Sequence, residues 1–409
     1  MTVTWRNRVV GLALACLSIL IVSLLLDRIL GLFGFPSEYV QITHPASYVA
    51  QRNNPEFTFE FSTNSMGIPY REVPLTKPDS TLRFIVLGDS FTEGWGVEQA
   101  QRYTERMEAA FSTDSRAVEF VNCGLSGTAP MEYARVLSRV SFQYQPDGVL
   151  IALYPNDISE TDAEATVDEI DNFSARGRSN LKRIIHALWP RLYTMAKQMS
   201  PTDLFYEEGE GDLVADVVTE ARSRGIAEAE IEAWQQRINP LWVEAANAGD
   251  FNGAILSFGL LRTDHWTSSL DISTPQAERK YQVMMSLMEE IVRRCRDREL
   301  WVGVVLLPAP VQVSSEFGVG WEQSGVQVRS EWLTAPTELE NRLSAWSAEE
   351  AVPFVNLAPY YRQAAQASPD FTSHYHVDGH FTAQGHQLAA DTIADWLLTQ
   401  PDLPLSTTQ

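Results

Sequence analysis

Short and almost purely apolar runs recur along the chain, each bounded by turns rich in polar residues, glycine or proline. These runs occupy residues 83–87, 118–121, 148–154, 301–307 and 353–357. Residues 100–111, between the first two runs, have a helical pattern. Buried strands that alternate with helices predict an α/β fold, in which helices cover both faces of a parallel sheet and ligands bind beyond the carboxyl ends of the strands.

A long insertion interrupts this alternation between the third and fourth runs. Residues 160–280 are mostly helical in pattern, and Ile231, Trp234 and Ile238 fall on one helical face. The next helix has Thr274 as a predicted N-cap and Pro275 at its first position. We therefore predict one domain over residues 81–400, with a mostly helical insertion at about 160–280.

The N-terminus carries the features of a membrane anchor. Arg6 and Arg8 precede residues 9–26, an uncharged apolar run that is long enough to cross a bilayer as a helix. Residues 1–35 are thus predicted to be a cytoplasmic tip and a transmembrane signal anchor, with everything beyond them outside the cytoplasm. In a bacterium this is the periplasmic face of the inner membrane. A lipoprotein signal at Cys16 is less favoured, because the apolar run continues past the cysteine.

Residues 36–80 form a predicted linker and edge element. Their content of Pro, Asn, Ser and Thr is typical of a linker, while alternation of Phe57, Phe59 and Phe61 predicts an edge strand or a hairpin.

The net charge and the number of cysteines argue against two classes of protein. A formal net charge of -22 argues against a sequence-independent nucleic-acid binder, which needs a surplus of Lys and Arg on one face. With 3 cysteines, one of them in the apolar N-terminus, the chain has no disulfide framework. Buried free thiols are the favoured state of Cys123 and Cys295, although a single bridge between them stays open.

Candidate chemistry lies after the first strand and near the C-terminus. Ser90 directly follows the first apolar run, where a turn can present its hydroxyl at the end of the sheet. A serine nucleophile needs a base, and His380 can act as one, with Asp378 orienting its imidazole. The plain alternative is that Ser90 merely caps a helix.

Two further strand ends offer donors for an oxyanion. Gly127 can present its backbone N–H, and Asn156 can present a neutral side-chain amide. His374, His376 and His386 compete with His380 for the role of base. We expect His374 and His376 to be exposed loop residues, and His386 to pack against the core. A zinc site in this loop is disfavoured, because no second cluster completes a shell of ligands.

Together these segments resemble the four blocks of the GDSL, or SGNH, hydrolase superfamily. Gly88-Asp89-Ser90-Phe91 is similar to the first block, Gly127 lies in the second, Asn156-Asp157 in the third, and Asp378 with His380 in the last. The resemblance implies a flavodoxin-like sandwich, a third oxyanion donor in the backbone N–H of Ser90, and no metal or organic cofactor. Tyr154 replaces a usual glycine, and Asp378 lies two residues before His380 where three is common.

The resulting hypothesis is a serine ester hydrolase that acts outside the cytoplasm on O-acyl groups of envelope glycans. One alternative is an O-acyltransferase with a membrane-bound acyl-donor partner, and another is a non-catalytic envelope scaffold. Residues 176–199 interleave basic and apolar side chains, which predicts a lid over the site or, less favoured, an element resting on an anionic membrane surface.

Overall fold

The computed structural model of the 409-residue chain describes residues 2–33, 42–113, 117–171, 188–192, 195, 212–248 and 254–403. The strands are β1 Val49–Asn54, β2 Phe57–Ser62, β3 Thr81–Gly88, β4 Ala117–Gly124, β5 Gly148–Leu153, β6 Trp301–Leu306 and β7 Phe354–Asn356. The helices before the insertion are α1 Thr2–Leu32, α2 Ser90–Glu93, α3 Tyr103–Phe111, α4 Pro130–Arg139 and α5 Asn156–Glu160. Those within it are α6 Leu213–Ser223, α7 Glu228–Arg237, α8 Pro240–Ala248, α9 Ala254–Leu261 and α10 His265–Leu270. The remaining helices are α11 Pro275–Arg296, α12 Ser315–Ser324, α13 Glu338–Glu350, α14 Ala358–Ala367 and α15 Ala383–Leu398.

The five apolar runs form one parallel sheet with the strand order β4-β3-β5-β6-β7. Successive side chains of a strand point to opposite faces, so Phe84 and Val86 join one buried cluster while Ile85 and Leu87 join another. Because helices cover both faces, nearly every position of these strands is buried, which explains their continuous apolar runs. The predicted α/β fold is confirmed.

The sequence also predicts correctly where a helix begins if an N-cap residue fixes its first turn. The hydroxyl of Thr274 accepts a hydrogen bond from the backbone N–H of Ala277 at 3.0 Å, and α11 then begins at Pro275. Its inward face, including Tyr281 and Met288, is buried as predicted. By contrast, α3 begins at Tyr103 rather than residue 100, because residues 99–101 form a separate 3-10 turn.

The insertion is helical, as predicted, in its described part. Ile231 and Trp234 of α7 are buried, whereas Ile238 is only part-buried because the helix ends one residue before it. Trp242 and Trp266 of the insertion pack against Trp321 of α12, with ring centroids 4.9 and 5.5 Å away. The insertion therefore shares a core with the C-terminal half of the chain.

The aromatic alternation at residues 57–61 belongs to a hairpin. β1 and β2 pair antiparallel in a separate two-stranded sheet, so neither is an edge strand of the main sheet. Phe57, Phe59 and Phe61 are buried and form a cluster with Trp95, which follows the first strand of the main sheet. This cluster fixes the hairpin beside the turn that carries Ser90.

The chain folds as two compact units. One comprises Ile42–Ile170 and Phe205–Gln409 and contains both sheets. The other comprises Met1–Gln41 and Asp171–Leu204. The domain boundaries predicted at residues 35 and 80 stay predictions. Cys123 and Cys295 are both buried and unbridged, as favoured from the sequence.

In the smaller unit, α1 contains one stretch, Leu14–Leu32, that is long and apolar enough to cross a membrane. Near its end, the buried carboxylate of Asp27 accepts hydrogen bonds from the backbone N–H groups of Arg191 and Leu192 at 2.8 and 2.9 Å. Trp189 donates its indole N–H to Ser23 at 2.9 Å. Most of the predicted lid or membrane-surface element at residues 176–199 lies outside the described residues, and both interpretations stay predictions.

Candidate active site

Ser90 stands at the carboxyl end of a central strand of the sheet. β3 ends at Gly88, the Asp89 carboxylate accepts the backbone N–H of Phe91 at 3.0 Å, and Ser90 begins the single-turn helix α2. Asp89 is thus the N-cap of this turn, so the plain alternative of a capping Ser90 is wrong. The neighbouring strand β4 ends at Gly124, which lies very close to the backbone of α2. A Cβ at this position would lie 2.2 Å from the backbone nitrogen of Glu93.

The three residues predicted to act together lie in one hydrogen-bonded chain. Ser90 Oγ is 2.7 Å from His380 Nε2, and His380 Nδ1 is 2.5 Å from Asp378 Oδ1. The spacing of two residues between Asp378 and His380 therefore suffices to place the carboxylate on the imidazole. The loop turns through Gly379, whose φ of 84° is a conformation that glycine adopts readily.

Asp378 is held by residues that sequence reasoning missed. Its Oδ2 accepts the indole N–H of Trp95 at 3.2 Å and the side-chain amide of Asn54 at 3.3 Å. Glu56, two residues after Asn54 in the β1–β2 turn, accepts backbone N–H groups of the same loop. Nothing in the spacing of Asn54, Glu56 and Trp95 indicated this role, because the hairpin is distant from the loop in sequence.

The electrostatic surroundings favour the imidazolium form of His380. Burial alone would lower the pKa of His380, but the surrounding charges raise it above its ordinary value overall, and the charge and hydrogen bond of Asp378 contribute most to that rise. The carboxylates of Asp89 and Glu93 add to this effect. Burial in turn raises the pKa of Asp89 to about 6. A base with a raised pKa takes up a proton from a hydroxyl more readily.

The predicted oxyanion donors lie at the ends of three adjacent strands, with Ser90 after β3, Gly127 after β4 and Asn156 after β5. Gly127 has a φ of 65°, and among the described residues no atom outside Gly127 and its two chain neighbours lies within 4 Å of where its Cβ would be. The left-handed backbone conformation therefore explains the glycine better than crowding does. Asn156 donates from Nδ2 to Glu160 Oε1 at 3.0 Å, which fixes the orientation of its amide.

Tyr154 fills the space next to the serine turn. Its ring stacks on Phe91 at a centroid distance of 4.0 Å and meets Trp266 of the insertion edge-on at 6.5 Å. Phe91 in turn lies 4.9 Å from the His380 ring. The residue that departs from the usual glycine thus builds an aromatic wall beside the catalytic histidine candidate.

The other histidines have different surroundings. His374 is fully buried, with its ring nitrogens bonded to the Ser373 hydroxyl at 2.8 Å and the Pro308 carbonyl at 3.1 Å. The expectation that it is exposed is therefore wrong, because the loop folds back over the end of β6. His376 is exposed, and His386 is buried against the core, both as predicted. Burial lowers the pKa of His374 and of His386 to about 3.

Metal ligation was the other interpretation of this loop. Within the described ranges, no group of three or more His, Cys, Asp or Glu side chains is arranged to hold a metal ion.

Comparison with known proteins adds a family match. Residues 86–252 match the model of the GDSL-like Lipase/Acylhydrolase family. This range is less than half of the chain; it includes Ser90, Gly127 and Asn156 but ends before the loop of His380. No curated protein matches the sequence.

Several solved structures are similar in fold at low identity. The lipase/acylhydrolase from Enterococcus faecalis is 13% identical, with a TM-score of 0.34 and coverage of 77% of this chain and 94% of that one. An acetylxylan esterase from Geobacillus stearothermophilus is 9% identical, with a TM-score of 0.33 and coverage of 77% and 93%. A GDSL-like lipase from Bacteroides thetaiotaomicron is 11% identical, with a TM-score of 0.31 and coverage of 76% and 86%.

Proposed function

We propose that the chain is an ester hydrolase of the GDSL/SGNH superfamily and that it removes O-acyl groups from envelope glycans outside the cytoplasm; the match of residues 86–252 to the GDSL-like Lipase/Acylhydrolase family supports this proposal. We assign Ser90 as the nucleophile, His380 as its general base and Asp378 as the residue that orients His380. The observation that carries this proposal is the continuous hydrogen-bonded chain from Ser90 Oγ through His380 to Asp378.

In the first half of the reaction, Ser90 Oγ attacks the ester carbonyl carbon while His380 Nε2 takes the hydroxyl proton. The carbonyl oxygen becomes an oxyanion, which accepts hydrogen bonds from the backbone N–H groups of Ser90 and Gly127 and from the Asn156 amide. When the tetrahedral intermediate collapses, the C–O bond to the alcohol breaks and His380 returns the proton to the leaving oxygen. An acyl ester on Ser90 remains.

In the second half, water attacks this acyl ester. His380 removes a proton from the water, the same donors stabilise the second oxyanion, and the acid leaves as Ser90 recovers its proton. The Asp378 carboxylate remains ionised throughout and stabilises the imidazolium that forms twice in each cycle.

The compartment and the substrate class rest on the N-terminus. α1 has the length and composition of a membrane-spanning helix, and Arg6 with Arg8 precedes its apolar stretch in sequence. Positive charge before a first spanning helix favours a cytoplasmic N-terminus, which would place the ester hydrolase domain on the outer side of that membrane. O-acylated glycans of the envelope are ester substrates within reach there.

The test compares the full-length protein in detergent micelles with its Ser90→Ala and Ser286→Ala variants, using p-nitrophenyl acetate and an acetylated glycan. Ser286 is exposed on α11 and donates to the Gln282 carbonyl of its own helix at 3.1 Å, which makes it the matched control. We expect loss of turnover in Ser90→Ala alone. Undiminished turnover by Ser90→Ala would refute the assignment, and acylation of an added acceptor glycan in place of acid release would establish an acyltransferase.

A further inference from the structure

We propose that Glu56, in the turn of the β1–β2 hairpin, is a positioning residue that holds the Asp378–His380 loop in its catalytic arrangement. The inference rests on the proposed function and extends it, because it makes the hairpin part of the active-site architecture. Glu56 does not contact Ser90 or the reacting atoms; it acts through the backbone of the loop.

The primary observation is one carboxylate that accepts three consecutive backbone N–H groups. Glu56 Oε1 accepts from His376 at 2.7 Å, and Oε2 accepts from Val377 at 2.9 Å and from Asp378 at 2.8 Å. Charge-assisted bonds to backbone N–H groups are stronger than neutral ones. Three of them in succession fix the backbone conformation just before Asp378.

Among the residues that the structure describes, the Glu56 carboxylate has no hydrogen-bond donor other than these three loop N–H groups. In the described part of the chain, no Lys, Arg or His side chain forms an ion pair with it, and burial raises its pKa. Burying part of a carboxylate without a cation is unfavourable unless hydrogen bonds compensate. Here the compensation comes from the loop itself, so the side chain and the loop backbone stabilise each other.

The same turn reaches Asp378 by a second route. Asn54 donates its amide to Asp378 Oδ2 at 3.3 Å, and its own Oδ1 accepts the backbone N–H of Glu56 at 2.8 Å. Trp95 donates to the same Oδ2 at 3.2 Å. Asp378 Oδ1 is thereby left to face His380. The hairpin thus determines both the backbone position of Asp378 and the rotation of its carboxylate.

Aromatic packing makes this support rigid. Phe57, next to Glu56, lies 4.7 Å from the Tyr375 ring in the loop and 6.1 Å from the Trp95 ring. The Tyr375 hydroxyl donates to the Gly96 carbonyl at 2.8 Å. The loop, the hairpin and the segment after Ser90 are therefore joined directly.

The experiment measures steady-state ester hydrolysis by the full-length protein carrying Glu56→Ala or Glu56→Gln, with Glu60→Gln as a control. Glu60 lies on β2 of the same hairpin with an exposed side chain. We expect Glu56→Ala to lower kcat by about 10²-fold with little change in KM, because a misplacement of about 1 Å in a catalytic group can slow the chemical step by about that factor, and Glu56 does not contact the substrate site. Glu56→Gln keeps an acceptor oxygen and should recover part of the rate.

The pH profile separates positioning from a merely structural role. With Asp378 held less firmly, the pKa of His380 should fall, so the acid limb of kcat/KM should move to lower pH in Glu56→Ala. Lower folding stability alone would reduce the amount of active enzyme without moving that limb. If Glu56→Ala does not fold, the Gln variant decides by the same two readouts.

Two results overturn the inference. The first is a Glu56 variant that is folded and has wild-type kcat and pH profile, and the second is a loss of rate fully explained by loss of folded protein. Ser90→Ala tests the proposed function separately, since undiminished turnover by this variant would refute the ester hydrolase assignment on which the inference about Glu56 rests. An inactive Ser90→Ala beside an unaffected Glu56 variant would refute only this inference.

Discussion

Truncation of Asn156 tests the oxyanion site most directly. In Asn156→Ala the side-chain amide is lost, while the backbone donors at Ser90 and Gly127 remain. The amide uses one of its two N–H groups on Glu160 at 3.0 Å, so the other is available to a developing oxyanion.

The expected magnitude follows from the number of donors. One oxyanion donor contributes about 3 kcal/mol to the transition state, and about 1.4 kcal/mol corresponds to a tenfold change in rate. Asn156→Ala should therefore lower kcat by about 10²-fold. KM should change little, because the donor acts on charge that develops only in the transition state.

The isosteric Asn156→Asp sharpens the test. It removes the donor and adds a carboxyl next to Glu160, so its kcat should fall at least as far as that of the Ala variant. Asn341→Ala, an exposed position on α13, serves as the control and should match the wild type. Both constants would be measured with p-nitrophenyl acetate near neutral pH. A change of less than about threefold in kcat for Asn156→Ala would refute Asn156 as a donor.

Three further outcomes are expected. Asp89→Asn removes a charge that raises the pKa of His380, so the acid limb of kcat/KM should move to lower pH; a profile that stays in place contradicts this. The pKa of His386, about 3 when folded, is depressed, so its contribution to stability is lost as pH falls from about 7.5 to about 5.5, by about 1.4 kcal/mol. Urea unfolding of His386→Gln should show that much less acid destabilisation, and an identical pH dependence would refute it. Asp27→Ala removes the acceptor for the N–H groups of Arg191 and Leu192, so trypsin should cleave after Arg191 faster, as mass spectrometry of the fragments would show; unchanged cleavage would contradict this contact.

The fold was predictable because burial of both faces of a sheet leaves a local signal in the sequence. Residues 83–87 are almost entirely apolar because both faces of β3 are buried, and the polar Asp89 and Ser90 follow where the strand reaches the edge of the sheet. Strand ends of a parallel sheet meet at one edge, so the candidates Gly127 and Asn156 could be assigned to the same edge from order alone. The N-cap at Thr274 was predictable for a similar reason, because its signal lies in the residues next to the start of the helix.

What could not be predicted depends on contacts between distant parts of the chain. Glu56 bonds Asp378 across 322 positions, and neither residue carries a local signal of the other. His374 and His376 cannot be distinguished by their spacing, yet His374 is buried against the segment that follows β6, whereas His376 is exposed. Asp27 interrupts an apolar stretch of sequence, and nothing nearby indicates that its carboxylate accepts two backbone N–H groups from a segment far along the chain.

The two halves of the proposed catalytic arrangement, Ser90 and His380, are held in place in different ways. Ser90 follows a central strand directly, so the sheet fixes its position through hydrogen bonds that any variant preserving the core retains. His380 lies in a loop before α15, and a loop is held only by the contacts it makes. Because proton transfer needs both groups within hydrogen-bond distance, the rate depends on the less firmly held partner. Substitutions in the β1–β2 hairpin should therefore reduce turnover more than substitutions that destabilise the protein equally but lie in the helices that cover the main sheet.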